Sequence, residues 1–272
     1  MNHDTNKVHW ANKLFVRNAR LYLPILQNMK EKSLKEVEAL CTIFGHLGVA
    51  AGSKILDLSC GIGRHSVNLC KCGYEVVGYD PSPFFIHEAK CWARKEGLNK
   101  DRIRFYGGSP LTVGDVLSRS REVGFNVIIN MFNSHGYYGI DEDIMMFGDI
   151  LRISSQNCIL LIESENRDWR IRYFEPSVVY DLKSSLICET WNFDPETSIS
   201  RSRSRFYDKI KNGEILHFKG EFQINYRLYS IHELRELIIR AGWKYLKTYG
   251  SVQGEDTATY DSKNVVTIGK KL

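Results

Sequence analysis

From residue 54 onward the chain alternates short apolar runs with longer amphipathic ones. Residues 54–58 (KILDL), 75–79 (EVVGY), 103–106, 126–132 (NVIINMF) and 158–163 (CILLIE) are strand-sized and almost continuously hydrophobic, as strands buried on both faces are. Between them, residues 64–72, 84–96 and 141–153 repeat apolar positions at helical spacing. Gly73 and Gly97 close the first two helices, and Asp141 is placed to cap the third. This alternation predicts βαβ units: a doubly wound α/β sheet with helices on both faces. The segment before it is helical: residues 8–27 are irregular, whereas Ser33 and Glu36 form a capping box ahead of Leu34, Val37, Leu40, Cys41, Phe44 and Leu47, with Gly45 and Gly48 at the far end.

After the fifth strand the alternation stops. Residues 185–193, 198–207 and 214–226 read as strands, and Asn212-Gly213 is a hairpin dipeptide between the last two. A helix returns at 230–241 behind a second capping box, Ser230 and Glu233, and stops at Gly242. Residues 243–249 and 264–270 form two final strands around a polar loop, 250–263. The expected organisation is a helical cap (1–50), an α/β domain (51–169 and 228–272) and an antiparallel β insertion (170–227).

Composition narrows the class. With 43% hydrophobic and 25% charged residues among 272, a packed core is attainable. The net charge of +5 is mild for a nucleic-acid binder. The densest basic row, Arg201, Arg203 and Arg205, alternates with serine, so it shares one face of a strand and reads as a solvated sheet face. No apolar run reaches the roughly 18 residues of a membrane span. The polar N-terminus and the odd count of seven cysteines predict reduced thiols and a cytoplasmic location. Cys70 and Cys72 lack a second pair at zinc spacing, so no metal is expected.

The central motif is residues 55–66, ILDLSCGIGRHS, joining the first strand to a helix. Gly61 and Gly63 permit a sharp turn and close approach to a ligand, at the point where the helix presents free N–H groups. Asp80 ends the second strand, where a carboxylate accepts ribose hydroxyls. A dinucleotide would set a pyrophosphate near Asp57 at a Coulombic cost, and Ser66 holds the place of the fingerprint's third glycine. S-adenosylmethionine carries a ribose, no phosphate and a cationic sulfonium, which Asp57 favours.

DLSCGIGRHS resembles motif I of the class I S-adenosylmethionine-dependent methyltransferases, and residues 73–82 resemble the family's second strand and acidic loop. Residues 125–138, 163–168 and 227–250 resemble its later segments, in the pattern of small-molecule, glycine N-methyltransferase-like enzymes. The resemblance implies a Rossmann-like seven-stranded sheet and S-adenosylmethionine as cofactor, leaving as S-adenosylhomocysteine. It implies that Asp57, Ser59, Gly61 and Gly63 line the methionine end and that Asp80 holds the ribose. Pro81 and Ser82 would lie beside the adenine, Gly108, Ser109 and Pro110 would edge it, and Asn130 and Phe132 would close near the sulfonium. Lys32 is either a partner for the cofactor carboxylate or a solvated lysine. The chain departs from the pattern twice. Ser59 replaces the first glycine, which a small residue can do if its φ stays negative. Ser109 stands where an acid often meets the adenine amino group, and its hydroxyl or carbonyl could accept that bond.

Methyl transfer is an in-line displacement in which the protein mainly aligns the reactants, adding a base only where the acceptor must lose a proton. Acceptor contacts are expected just past the fourth strand, with His135 and Tyr137 as catalytic candidates and Tyr138 beside them. Past the fifth strand, one of Glu163 and Glu165 is expected to face the pocket. Trp169, Arg170, Arg172 and Tyr173 either meet an anionic acceptor or form a basic surface turn. The insertion, with Trp191, Phe206, Tyr207 and Tyr226, is expected to lid an enclosed acceptor, and the N-terminal helices to cover the cofactor. The function expected is methyl transfer to nitrogen or oxygen of a small molecule. An RNA methyltransferase and a non-catalytic S-adenosylmethionine-binding regulator remain alternatives. The oligomeric state stays open, a homodimer included.

Overall fold

The computed structural model describes residues 9–253 and 256–272. The first eight residues, where the expected cap begins, and Gly254 and Glu255 of the polar loop lie outside the described residues. A π-helical segment, Asn12–Arg17, leads into α1 (Ala19–Asn28) and α2 (Lys30–His46). Then follow β1 (Lys54–Leu58), α3 (Arg64–Lys71), β2 (Glu75–Asp80), α4 (Pro83–Lys95), β3 (Ile103–Gly107), α5 (Val113–Arg119), β4 (Phe125–Asn130), α6 (Ile140–Asp149), β5 (Ser154–Glu165) and α7 (Arg167–Arg172). Four antiparallel strands come next: β6 (Ser177–Asp181), β7 (Ser185–Asp194), β8 (Ile199–Ile210) and β9 (Ile215–Arg227). The chain ends with α8 (Ile231–Arg240), β10 (Lys244–Tyr249) and β11 (Asn264–Lys270).

Seven strands form one sheet in the order β10-β11-β5-β4-β1-β2-β3, parallel except for β11, which runs against both neighbours. β6–β9 form a separate sheet. The fold is the doubly wound α/β sheet with an antiparallel addition, as the periodicity predicts. Alternate residues of each strand enter opposite cores. Ile55, Val76, Phe105 and Val127 pack with Leu40, Phe44, Val67 and Ala89 on the α2–α4 side. Leu56, Leu58, Val77 and Ile128 pack with Leu117, Phe147, Leu234 and Ile238 on the α5–α6–α8 side. Leu56, Leu117 and Phe147 are fully buried, and removing each such side chain from water contributes roughly 1.5–3 kcal/mol.

Several boundaries differ from the sequence pattern. α2 begins at Lys30, a turn before the supposed capping box, because Met29 N–H continues from α1 onto Ile25 O. Ser33 therefore lies inside the helix and donates to Lys30 O, while Glu36 turns inward. α6 starts after Gly139 and not at Asp141. β4 stops at Asn130, because Phe132 and Asn133 adopt left-handed φ of 61° and 56°. α5, α7 and β6 carry no signal that the apolar pattern revealed, being short. The 230 capping box is present, with Glu233 N–H donating to Ser230 Oγ and Ser230 N–H to Glu233. Among the described residues no helix is long and apolar enough to cross a membrane.

Topology positions the site. The chain proceeds outward from β1 to β2 and β3, then returns to place β4 on β1's other side. Ligands of such sheets bind at this reversal, beyond the strands' carboxyl ends. Leu58 pairs with Tyr79 and Asn130, and Asp80 with Gly107, so the loops after β1, β2, β3 and β4 emerge along one edge.

Candidate active site

The loop after β1 closes around two buried carboxylates. Asp57 is 2% exposed and accepts a 2.5 Å hydrogen bond from Ser66 Oγ in the first turn of α3. Burial raises its pKa, against the pull of His65, Ser66 and Arg64. Asp80 accepts from Gly61 N–H through Oδ2 and from Ser82 N–H through Oδ1, both at 2.8 Å. Burial pushes it up to about 6 even so. Each Asp80 oxygen thus has one backbone donor and lone-pair capacity left for a ligand hydroxyl. Gly63 has φ 77°, and an added Cβ would lie 3.1–3.2 Å from Ala89 and Phe105. The glycine lets the loop settle between β3 and α4. Ser59 also has positive φ, 63°, correcting the expectation of a negative one. The turn demands left-handed backbone there whatever the residue, and a serine bears the strain.

The sequence candidates separate into two groups. Asp57, Ser59, Gly61, Asp80, Pro81, Pro110, Phe132, His135 and Tyr137 line one cavity of about 600 Å³. Gly63, Ser82, Gly108, Ser109 and Asn130 stand behind its wall. Ser82 is wholly buried and caps α4, accepting from Phe85 N–H. Ser109 accepts Tyr79 OH on its carbonyl at 2.9 Å, and its hydroxyl caps the turn at Leu111. Gly108 lies against that same Tyr79 hydroxyl.

Asn130 is fully buried. Its amide donates to Leu58 O (3.2 Å) and Ser134 O (3.4 Å), which turns Oδ1 toward His135 Nδ1 at 2.9 Å. His135 Nδ1 therefore carries the proton in this network, and Nε2 accepts from Ser164 Oγ at 3.2 Å. Burial pulls the His135 pKa down to about 4, so the ring is neutral at neutral pH. Tyr137, just beyond, packs against Trp10, Phe15 and Tyr226, and burial raises its pKa.

Three features escaped the sequence reading. Arg64, 4% exposed, lines the cavity with its guanidinium 5.1 Å from the Phe132 ring. It donates to Glu36 at 2.7 Å, where His65 Nε2 (2.9 Å) and Lys32 Nζ (3.3 Å) also meet. Burial opposes the Glu36 charge, but the His65 hydrogen bond and the Arg64 charge outweigh it and hold the carboxyl at about 2. Glu36 matched a capping pattern too well to be suspected of this role. Secondly, Glu163 Oε2 accepts Phe132 N–H (2.7 Å) and Oε1 accepts Asn264 Nδ2 (2.6 Å), bracing the left-handed pair at the end of β4. Glu163 and Glu165 both line the cavity, where only one was expected to. Thirdly, Tyr180 and Glu189 of the second sheet join Trp191 and Tyr226 in the wall. β6 was not foreseen, and alternation alone does not say which face of an insertion turns inward.

The arginine row is a solvated face: Arg201, Arg203 and Arg205 project outward from β8, while Ser200, Ser202 and Ser204 are buried. Acids lie beside all three, Asp194 at 3.6 Å from Arg201 and Glu221 at 3.4 and 2.7 Å from Arg203 and Arg205.

Residues 55–153 match the family model described as a methyltransferase domain. The fold matches an S-adenosylmethionine-dependent methyltransferase from Clostridium acetobutylicum with a TM-score of 0.75 at 14% identity, over 94% of this chain and 98% of that one. Residues 55–153 are thus similar to a methyltransferase domain, and the chain as a whole has the fold of that S-adenosylmethionine-dependent methyltransferase. The chain also shares its fold with S-adenosylmethionine-bound CalS10, an amino pentose methyltransferase from Micromonospora echinaspora (TM-score 0.62, 13% identity, 88% and 92% coverage). Among curated relatives, the S-adenosylmethionine-dependent Diels-Alderase iccD from Talaromyces variabilis is 37% identical over 73 residues, 27% of this chain. The 23S rRNA methyltransferase RlmD from Shewanella amazonensis is 45% identical over 60 residues, 22% of it. The aligned stretches span 24% and 13% of those two proteins' own lengths.

Proposed function

We propose that this protein is a methyltransferase that moves a methyl group from S-adenosylmethionine to nitrogen or oxygen of a small molecule enclosed beneath the second sheet. The observation carrying this reading is one continuous cavity of about 600 Å³, which runs from the glycine loop to the β6–β9 wall. The volume suits a compact ligand pair, and the paired arginine row lends no support to an RNA acceptor. CalS10, by its name, acts on an amino pentose.

When bound, S-adenosylmethionine supplies a methyl group on positively charged sulfur. The residues present fit it. Asp80 offers two oxygens to the ribose diol, with Pro81 and Pro110 at the adenine. Asp57, Ser59 and Gly61 take the methionine end, and Arg64 and Lys32 balance its carboxylate. Gly63, Ser82, Gly108 and Ser109 shape these loops from behind. Asn130 and His135, neutral and mutually bonded, position the turn that carries Phe132 and Tyr137. Covered by Ala11, Phe15 and Tyr22 from the N-terminal segment, the reactants would be aligned out of bulk water.

Calorimetric titration with S-adenosylmethionine and S-adenosylhomocysteine, on wild type, Asp80→Ala and Gly61→Arg, tests this reading. Micromolar binding lost in both folded variants is the expected result. Folded wild-type protein that binds neither compound would overturn it.

A further inference from the structure

Glu189 lies on β7 in the wall of the cavity, 6% exposed. Its Oε1 accepts one hydrogen bond, 2.7 Å from Ser204 Oγ. Among the described residues no cationic side chain forms an ion pair with it. Glu36 has Arg64 and Lys32, Glu122 has Arg104 and Lys54, and Glu165 has Arg170 at 2.7 Å. Glu163 also lacks a cation among the described residues, but each of its oxygens has a donor, Phe132 N–H and Asn264 Nδ2. Arg170 pairs with Glu165 and stacks over the Trp191 ring at 5.1 Å, so it acts on Glu189 as a neighbouring charge and not as an ion-pair partner. A carboxylate sequestered without a counter-charge is costly, and native proteins keep such groups paired, protonated or facing a charged ligand. Burial raises the Glu189 pKa, outweighing the pull of Ser204, Trp191 and Arg170.

The surroundings specify the sign and softness of that partner. Tyr22, Tyr137, Tyr180, Trp191 and Tyr226 line the same cavity. Trp191 meets Tyr226 edge-on at 6.1 Å, and Tyr226 meets Tyr137 at 6.4 Å. Ring faces beside a carboxylate attract an organic cation. A metal ion would need more oxygen or nitrogen donors, and among the described residues no cluster of three or more histidine, cysteine or acidic side chains is placed to hold one.

We propose that Glu189 anchors a positively charged amine group of the acceptor within this ring-lined end of the cavity. The proposal rests on reading the cavity as the acceptor site and adds the class of molecule and the residue that selects it.

The test compares cyclohexylamine with cyclohexanol, which share a ring and differ in charge, by calorimetry on the full chain with and without S-adenosylhomocysteine. Wild type should bind the amine about tenfold more tightly than the alcohol. Glu189→Gln, nearly isosteric, should abolish that preference, and Glu189→Asp should keep most of it. Affinity for S-adenosylhomocysteine should be the same in all three. Equal binding of the two probes by wild type, binding of neither, or a preference retained in Glu189→Gln would overturn the proposal. Loss of S-adenosylhomocysteine binding in wild type would instead overturn the cofactor reading, while the probe comparison without it still decides the role of Glu189.

Discussion

Glu36 joins the helical segment to the glycine loop, and replacing it with glutamine removes a charge that Arg64, Lys32 and the His65 ring nitrogen meet. Its carboxyl is held at about 2 against an ordinary 4.5. That displacement corresponds to about 3 kcal/mol favouring the folded state wherever Glu36 is ionised in both states. A depressed carboxyl pKa contributes fully above the unfolded value and is lost as pH falls toward the folded one. Glu36→Gln should therefore destabilise the protein by about 3 kcal/mol at pH 7, roughly 6–10 °C in Tm for a chain of this size. The gap should begin to close below about pH 4.5 and fall to about half by pH 3, where much of the wild-type advantage has been protonated away. Urea unfolding followed by tryptophan fluorescence at several pH values between 3 and 7 measures it. A gap that stays constant, or widens in acid, would refute the electrostatic account and leave packing as the cause. A loss under 1 kcal/mol at pH 7 would mean that Arg64 and His65 find other partners.

Ser59 holds φ 63° without being glycine. Ser59→Val should cost about 1–2 kcal/mol, since a branched Cβ fits that region poorly, whereas Ser59→Gly should change stability by less than about 1 kcal/mol; thermal melts of the pair compare them. His135, drawn down to about 4 by burial, should show no imidazole titration between pH 5.5 and 8 by NMR, and a midpoint near 6.5 would mean that the ring is solvated.

Much of the fold was legible because local chemistry and global packing agree in it. KILDL, EVVGY and CILLIE are apolar on both faces, and only a sheet covered twice satisfies them. Ser230 and Glu233 cap their helix as their spacing implies. Ser33 and Glu36 have that same spacing and do not cap, since Arg64 and His65, 28 and 29 positions on from Glu36, make a stronger claim on the carboxylate than a helix end does. Phe132 reads as the end of a strand, yet the Glu163 carboxylate fastens its amide in a left-handed turn. Such bonds join residues far apart in sequence, and a window of neighbouring residues carries no trace of them.

The candidate site divides in the same way. Asp57, Gly61 and Asp80 announce themselves because a strand, a glycine turn and a terminal acid follow in fixed order along the chain. The far end of the cavity, beneath the second sheet, has no such order. Glu189 and Trp191 from β7, Tyr226 from β9, Tyr180 from β6 and Tyr22 from α1 meet in one wall only after two sheets and the N-terminal helices have packed. Patterning along the chain was enough to set strand, helix and glycine loop, because those depend on neighbours a few residues apart. Which carboxylates found partners and which was left facing the cavity depended on the folded arrangement, since charge pairing is a matter of distance in space.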